Sequence, residues 1–205
     1  MTRFEYCRDP AEIYRQSFAA IRAACDLTAI PADLQPLALR IVHACGDPDI
    51  LNHLRWSAGA GQAGATALQR GAPILCDANM VAAGITRRFL PTQNPVICTL
   101  DQARAKGSTR AAAAVDLWQA QLTGAVVAIG NAPTALFRLL ELLAAGAPPP
   151  ALIIGLPVGF IGAAESKQAL ADHAGDTPFV TLLGRRGGSA YAAAAVNALC
   201  LGTAE

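Results

Sequence analysis

The chain has 205 residues, of which 53% are hydrophobic and 15% charged, and its formal net charge is +1. So apolar and weakly charged a chain is not intrinsically disordered, and it lacks the basic excess of a general nucleic-acid binder. The length suits one domain spanning residues 1–205 with a substantial core.

The first third reads as helix. Residues 10–25 carry Ile13, Tyr14, Phe18 and Ile21 at helical spacing. A second helix is predicted over 31–45, with Pro31 in its first turn and Gly46 after its end. Asp47-Pro48 restarts the chain, and shorter helices are predicted over 48–57 and 62–70. From residue 71 short apolar runs alternate with helical patterns. The predicted strands are 73–76, 95–99, 125–129, 151–155 and 179–183, and the helices between and after them are 78–86, 109–123, 133–145, 164–173 and 189–201. Continuous apolar strands alternating with helices indicate a parallel sheet covered on both faces. The expected fold is therefore a three-layer α/β/α arrangement with a mainly parallel sheet of about five strands, preceded by N-terminal helices. Ligands of such sheets sit beyond the C-terminal strand ends. Here those ends are rich in Gly and Asn, and they lead into helix N-termini that offer free amides to an anion. The same residues also serve ordinary turns.

Several chemistries lack their signatures. There is no GxxxxGK[ST], no GxGxxG after a strand and no GxSxG. His43, His53 and His173 show no HExxH or other compact metal-ligand spacing. A P-loop ATPase, nicotinamide or flavin binding in the usual mode, and an α/β-hydrolase are therefore disfavoured. The six cysteines contain no CxxC pair, and most lie in apolar segments. They are expected to be free thiols of a cytoplasmic protein. No apolar run reaches the ~18 residues of a membrane span, and the start of the chain, with Arg3, Glu5, Arg8 and Asp9, lacks a signal-peptide core.

On the second helix, Leu34, Leu37, Ala38, Ile41, Val42 and Cys45 form the apolar face. Arg40 and His43 fall on the opposite side. That side is either solvated, with His43 favoured near a helix C-terminus, or it lines a pocket in which imidazole exchanges a proton. Ser17 lies within the apolar stripe of the first helix, and its hydroxyl needs a partner. The Ile13 carbonyl one turn back supplies one without any ligand. Basic residues cluster at Arg87-Arg88, Arg104 with Lys106, Arg110 and Arg185-Arg186. Arginine's planar fork suits carboxylates, so a polycarboxylate ligand would account for several of them.

The stretches RIVHACG (40–46), ILCDA (74–78) with Met80-Val81, GNAPTAL (130–136), GLPVGFIGAAESK (155–167) and Gly187-Gly188-Ser189 resemble the precorrin-8X methylmutase (precorrin isomerase) family of cobalamin biosynthesis. The resemblance covers essentially the whole chain. It implies an isomerase that moves a methyl group from C-11 to C-12 of a corrinoid macrocycle. Precorrin-8X then becomes hydrogenobyrinic acid at unchanged mass, with no cofactor or metal. It places the catalytic histidine at His43, as proton donor at the ring C nitrogen, and substrate contacts at Ser17 and Arg40. Further expected contacts to the ligand's carboxylates are Arg87, Arg110 and Arg186, with a hydrogen bond from Thr86. The backbone at Gly130 and Asn131 and at Gly187 and Gly188 is expected to receive carboxylates, and Ser189 is expected among the substrate contacts. The resemblance also implies a cytoplasmic homodimer, without nucleic-acid or membrane partners, that hands its product to neighbouring pathway enzymes. The alternatives are the cobalt-containing counterpart reaction, or a corrinoid carrier without turnover.

Overall fold

The computed structural model describes residues 4–105 and 107–202; Arg3 and Lys106 lie outside the described residues. Helix α1 (Pro10–Ala24) starts where the Asp9 carboxylate accepts from the Ala11 amide at 3.0 Å, with Pro10 in the first turn. Helix α2 (Gln35–Cys45) begins four residues later than expected, because 31–34 form turns and Pro36, not Pro31, occupies its first turn. Gly46 closes α2 in the left-handed conformation (φ 68°), its amide returning to the Val42 carbonyl at 2.7 Å.

The predicted helix over 48–57 splits. Pro48–His53 is a 3-10 helix, but Leu54–Trp56 is a strand, β1. It pairs antiparallel with the last strand, Leu54 opposite Leu182. Its burial alternates, with Leu54 inside and Arg55 outside. Three residues are too few for that period to show in sequence, and a tertiary partner decides the conformation. The other strands are β2 (Ile74–Cys76), β3 (Val96–Cys98), β4 (Val126–Ile129), β5 (Leu152–Gly155) and β6 (Phe179–Leu182), and their pairings with one another are parallel. The sheet thus has six strands in the order β1-β6-β5-β4-β2-β3.

The intervening helices are α3 (Ala60–Gln69), α4 (Asn79–Gly84), α5 (Arg110–Asp116), α6 (Pro133–Ala144), α7 (Ala163–His173) and α8 (Ser189–Leu201). The helices expected over 78–86 and 109–123 are shorter, each followed by a 3-10 turn, Arg87–Phe89 and Gln119–Gln121. One face of the sheet packs on α2, α3, α4 and α8 through Leu37, Ile41, Leu68, Val81, Val196 and Leu199. The other packs on α5, α6 and α7 through Val115, Trp118, Leu136, Leu139 and Leu170. Each fully buried Leu or Ile contributes about 1.5–3 kcal/mol. Helix α8 is apolar nearly all round, and it is buried between the sheet and α2, α3 and α4. Among the described residues, no helix is long and apolar enough to cross a membrane.

Candidate active site at the C-terminal strand ends

Helix α2 buries Leu37, Ala38, Ile41 and Val42, and therefore turns Arg40 and His43 outward. What it turns them towards is α1. The His43 ring is exposed and stacks on Phe18, with centroids 5.0 Å apart and planes 20° apart. Phe18 is the buried residue of α1 and also meets Tyr14, with ring centroids 4.6 Å apart and planes tilted by 41°. The Arg40 guanidinium lies over three rings: Phe18 at 5.4 Å, Phe89 at 5.7 Å and Tyr14 at 5.8 Å. It also donates to the Tyr14 hydroxyl. Phe89 is presented by the 3-10 turn that contains Arg87. That turn is pinned from α8, where Asn197 accepts from the Thr86 amide at 2.8 Å and donates to the Gly84 carbonyl at 3.0 Å. Arg40 and His43 thus share one neighbourhood with Phe18 and Phe89; Ser17 precedes Phe18 on α1, and Thr86 and Arg87 precede Phe89 in its turn. The apolar stripe of α1 is not a core face, since Ile13 is 45% and Tyr14 39% exposed. Ser17 is half-buried and, among the described residues, makes no hydrogen bond to Ile13.

The strand order reverses between β2 and β4, which is where an open α/β sheet has its crevice. Here the crevice is filled from within. Asp77, directly after β2 and buried, accepts from the amides of Gly130 (2.9 Å), Asn131 (2.9 Å) and Ala132 (2.7 Å). Burial pushes this carboxyl up, and the three amides oppose that shift. The Gly130 and Asn131 amides, expected to receive a ligand carboxylate, instead hold the chain's own. What Asn131 offers outward is its exposed side chain.

Beside this turn lies the start of α8. Gly130 packs against Gly188 and Ser189. Gly187 sits so close to the preceding loop that a Cβ there would stand 2.4 Å from the Leu156 carbonyl oxygen, so no larger residue fits. The Gly188 amide donates to the same carbonyl at 2.8 Å, while α8 has no side-chain cap. Arg186 is half-exposed and pairs with Asp47, which follows α2. Tyr191, in the first turn of α8, faces Cys45, and burial followed by that thiol pushes its hydroxyl up. Arg110 stands apart: it is exposed and opens α5, which covers the opposite face of the sheet.

Sequence reading did not single out Phe18, Phe89, Asp47, Asp77, Lys167 or Tyr191. Lys167 had a visible signal. It shares the buried face of α7 with Ala163, Ser166 and Leu170, a spacing at which a lysine is out of place. Phe89 and Asp47 had none, because only packing brings them to Arg40 and Arg186. All six cysteines are free thiols, with Cys7 exposed and Cys76 buried. Among the described residues, no group of three or more His, Cys, Asp or Glu is placed to hold a metal ion.

The three-layer α/β fold carries a histidine and an arginine side by side and glycine-rich loops at its C-terminal strand ends, the edge at which ligands of such sheets sit. The precorrin-8X methylmutase family profile matches residues 12–201, and the chain belongs to this family. A precorrin-8X methylmutase of Pseudomonas aeruginosa is 60% identical over 201 residues, covering 95% of this chain and 97% of that protein. One from Sinorhizobium sp is 52% identical over 205 residues, covering 97% and 98%. The crystal structure of precorrin-8X methylmutase from Thermus thermophilus superposes with a TM-score of 0.85 at 38% identity, covering 93% of this chain and 94% of that one.

Proposed function

We propose that this chain, working as one domain, moves a methyl group from C-11 to C-12 of precorrin-8X and releases hydrogenobyrinic acid. It is a methyl-shifting isomerase by family. The observation that carries the site reading is the exposed His43 ring, held flat on Phe18 beside Arg40. A ring fixed in this way can meet a planar ligand without first losing its own rotational freedom. In this reading His43 donates a proton or hydrogen bond to the ring C nitrogen, which polarises the conjugated system as the methyl migrates. Arg40, Arg87 and Arg186 take the ligand's acetates and propionates, and Arg110, which stands apart from them within one chain, does so from the second subunit of a dimer. Ser17, Thr86, Asn131, Gly187 and Ser189 supply shorter-range hydrogen bonds; the Gly188 amide, expected to do the same, is already taken by the Leu156 carbonyl at 2.8 Å. The preference for a metal-free substrate rests on the two relatives at 60% and 52% identity, both named for precorrin-8X.

The reading includes a cytoplasmic homodimer that passes its product to neighbouring enzymes. In support, Phe160 and Ile161 are 85% and 91% exposed on the loop after β5, an apolar pair at the same edge as the site. Anaerobic incubation with precorrin-8X tests the activity: a new visible chromophore at unchanged mass is expected. Turnover of the cobalt-containing substrate alone would overturn the metal-free assignment. His43→Ala should keep the fold, since the ring is exposed, and lose about a hundredfold or more in rate. Full activity in that variant refutes the role of His43.

A further inference from the structure

Among the described residues Lys167 is the largest buried charged side chain, with no exposed surface. Its ammonium makes one hydrogen bond, to the Arg186 carbonyl at 2.6 Å. Among the described residues it forms no salt bridge. A buried cation without a counter-charge costs free energy unless something offsets it. Burial alone accordingly pulls its pKa down to about 8.

The surroundings show what the amine supports. Arg186 precedes Gly187 and Gly188, which lie on the Leu156 and Pro157 carbonyls and lead into α8. The Arg186 guanidinium reaches Asp47, just beyond the helix that carries His43. One side chain on the sheet's far-side helix α7 therefore grips the loop that joins β6 to α8 and links it to the end of α2. At the start of α8 the Ser189 and Ala190 amides donate no backbone hydrogen bond among the described residues.

We propose that Lys167 is a positioning residue: from beneath, it fixes the Arg186-Gly187-Gly188 loop and supplies buried positive charge behind it, so that the edge is ready for a substrate carboxylate. This rests on the reading that the edge binds the ligand's acidic side chains. The ligand's carboxylate then brings the counter-charge the folded protein lacks, acting across the loop rather than by contact with Lys167. Stability is given up for binding, and the two respond oppositely to removal of the amine.

Lys167→Met keeps the length of the side chain and removes the charge. Its melting temperature, its binding of hydrogenobyrinic acid by absorbance titration, and its kcat and KM are compared with wild type. The expected result is an unchanged or higher melting temperature, with Kd and KM raised about tenfold or more and kcat changed less. Lys167→Ala leaves a space for an alkylammonium ion, and added ethylammonium is expected to restore affinity while ethanol does not. A Lys167→Met protein that binds like wild type overturns the proposal, as does one that melts lower and keeps its affinity. Should wild type neither bind nor turn over the tetrapyrrole, the functional reading fails first. If wild type is active and the variant equal to it, only the role of Lys167 falls.

Discussion

Replacing Asp77 by Asn tests whether the sheet's crevice is closed by charge. The carboxylate takes three amides, one on Oδ1 and two on Oδ2. Asparagine keeps a single acceptor oxygen, and its NH2 group must then face at least the Gly130 amide, donor against donor. Hydrogen bonds to a charged acceptor contribute about 1.5–3 kcal/mol each and neutral ones about 0.5–1.5. One lost bond and two weakened ones thus cost about 3–5 kcal/mol. Relief from burying a charge, the influence that pushes this carboxyl up, returns part of that. A net loss of about 2 kcal/mol lowers the melting temperature of a chain this long by about 4–8 °C. Calorimetry measures the shift, and hydrogen exchange locates it: the Gly130, Asn131 and Ala132 amides should exchange faster, while those of β5 should not. Because Gly130 packs on Gly188 and Ser189, ligand affinity should fall as well. A melting temperature within about 1 °C of wild type, with unchanged exchange at these amides, would refute the latch; a rise would mean that the cost of burying the carboxylate exceeds what the three bonds contribute.

Lys167 makes stability depend on pH in the alkaline range. Unfolded, the amine holds its proton up to its ordinary value of 10.5, whereas folded it releases it near 8. Between those values the unfolded state binds more protons, so raising the pH favours the fold, by about 3 kcal/mol at most. Wild type should gain on Lys167→Met as pH climbs from 8 towards 10, and a constant gap in melting temperature would contradict this. Gly187→Ala forces a Cβ against the Leu156 and Pro157 carbonyls, costing about 1–3 kcal/mol in strain; urea unfolding should show the loss, and wild-type stability would mean the loop yields freely. Arg40→Ala should raise the Kd for hydrogenobyrinic acid about tenfold by removing a charge-assisted contact, with a small change in melting temperature because Arg40 lies off the core face of α2. A large thermal loss at unchanged affinity would make it a packing residue.

The surroundings of His43 show where sequence reasoning stops. That Arg40 and His43 leave the core face of α2 follows from helical geometry, and the structure agrees. Which surface they meet does not follow from it. Phe18 reads as another core residue of α1, yet its ring is shared between His43 and Arg40. Asn131 and its neighbours read as a turn open to an anion, but the anion is Asp77, more than fifty residues earlier in the chain.

The sequence by itself determined the helix–strand alternation, the parallel strands β2 to β6, the cap at Gly46 and the family, because these depend on local period, turn chemistry and contiguous motifs. Tertiary structure decided the rest. Leu54–Trp56 became a sixth strand because β6 offered an edge to pair with. Lys167 became a buried cation because α7 packs that face inward beneath the Arg186 loop. The cause is the same in both cases: hydrogen bonds and burial between segments far apart in the chain outweigh the weak preferences of a few residues.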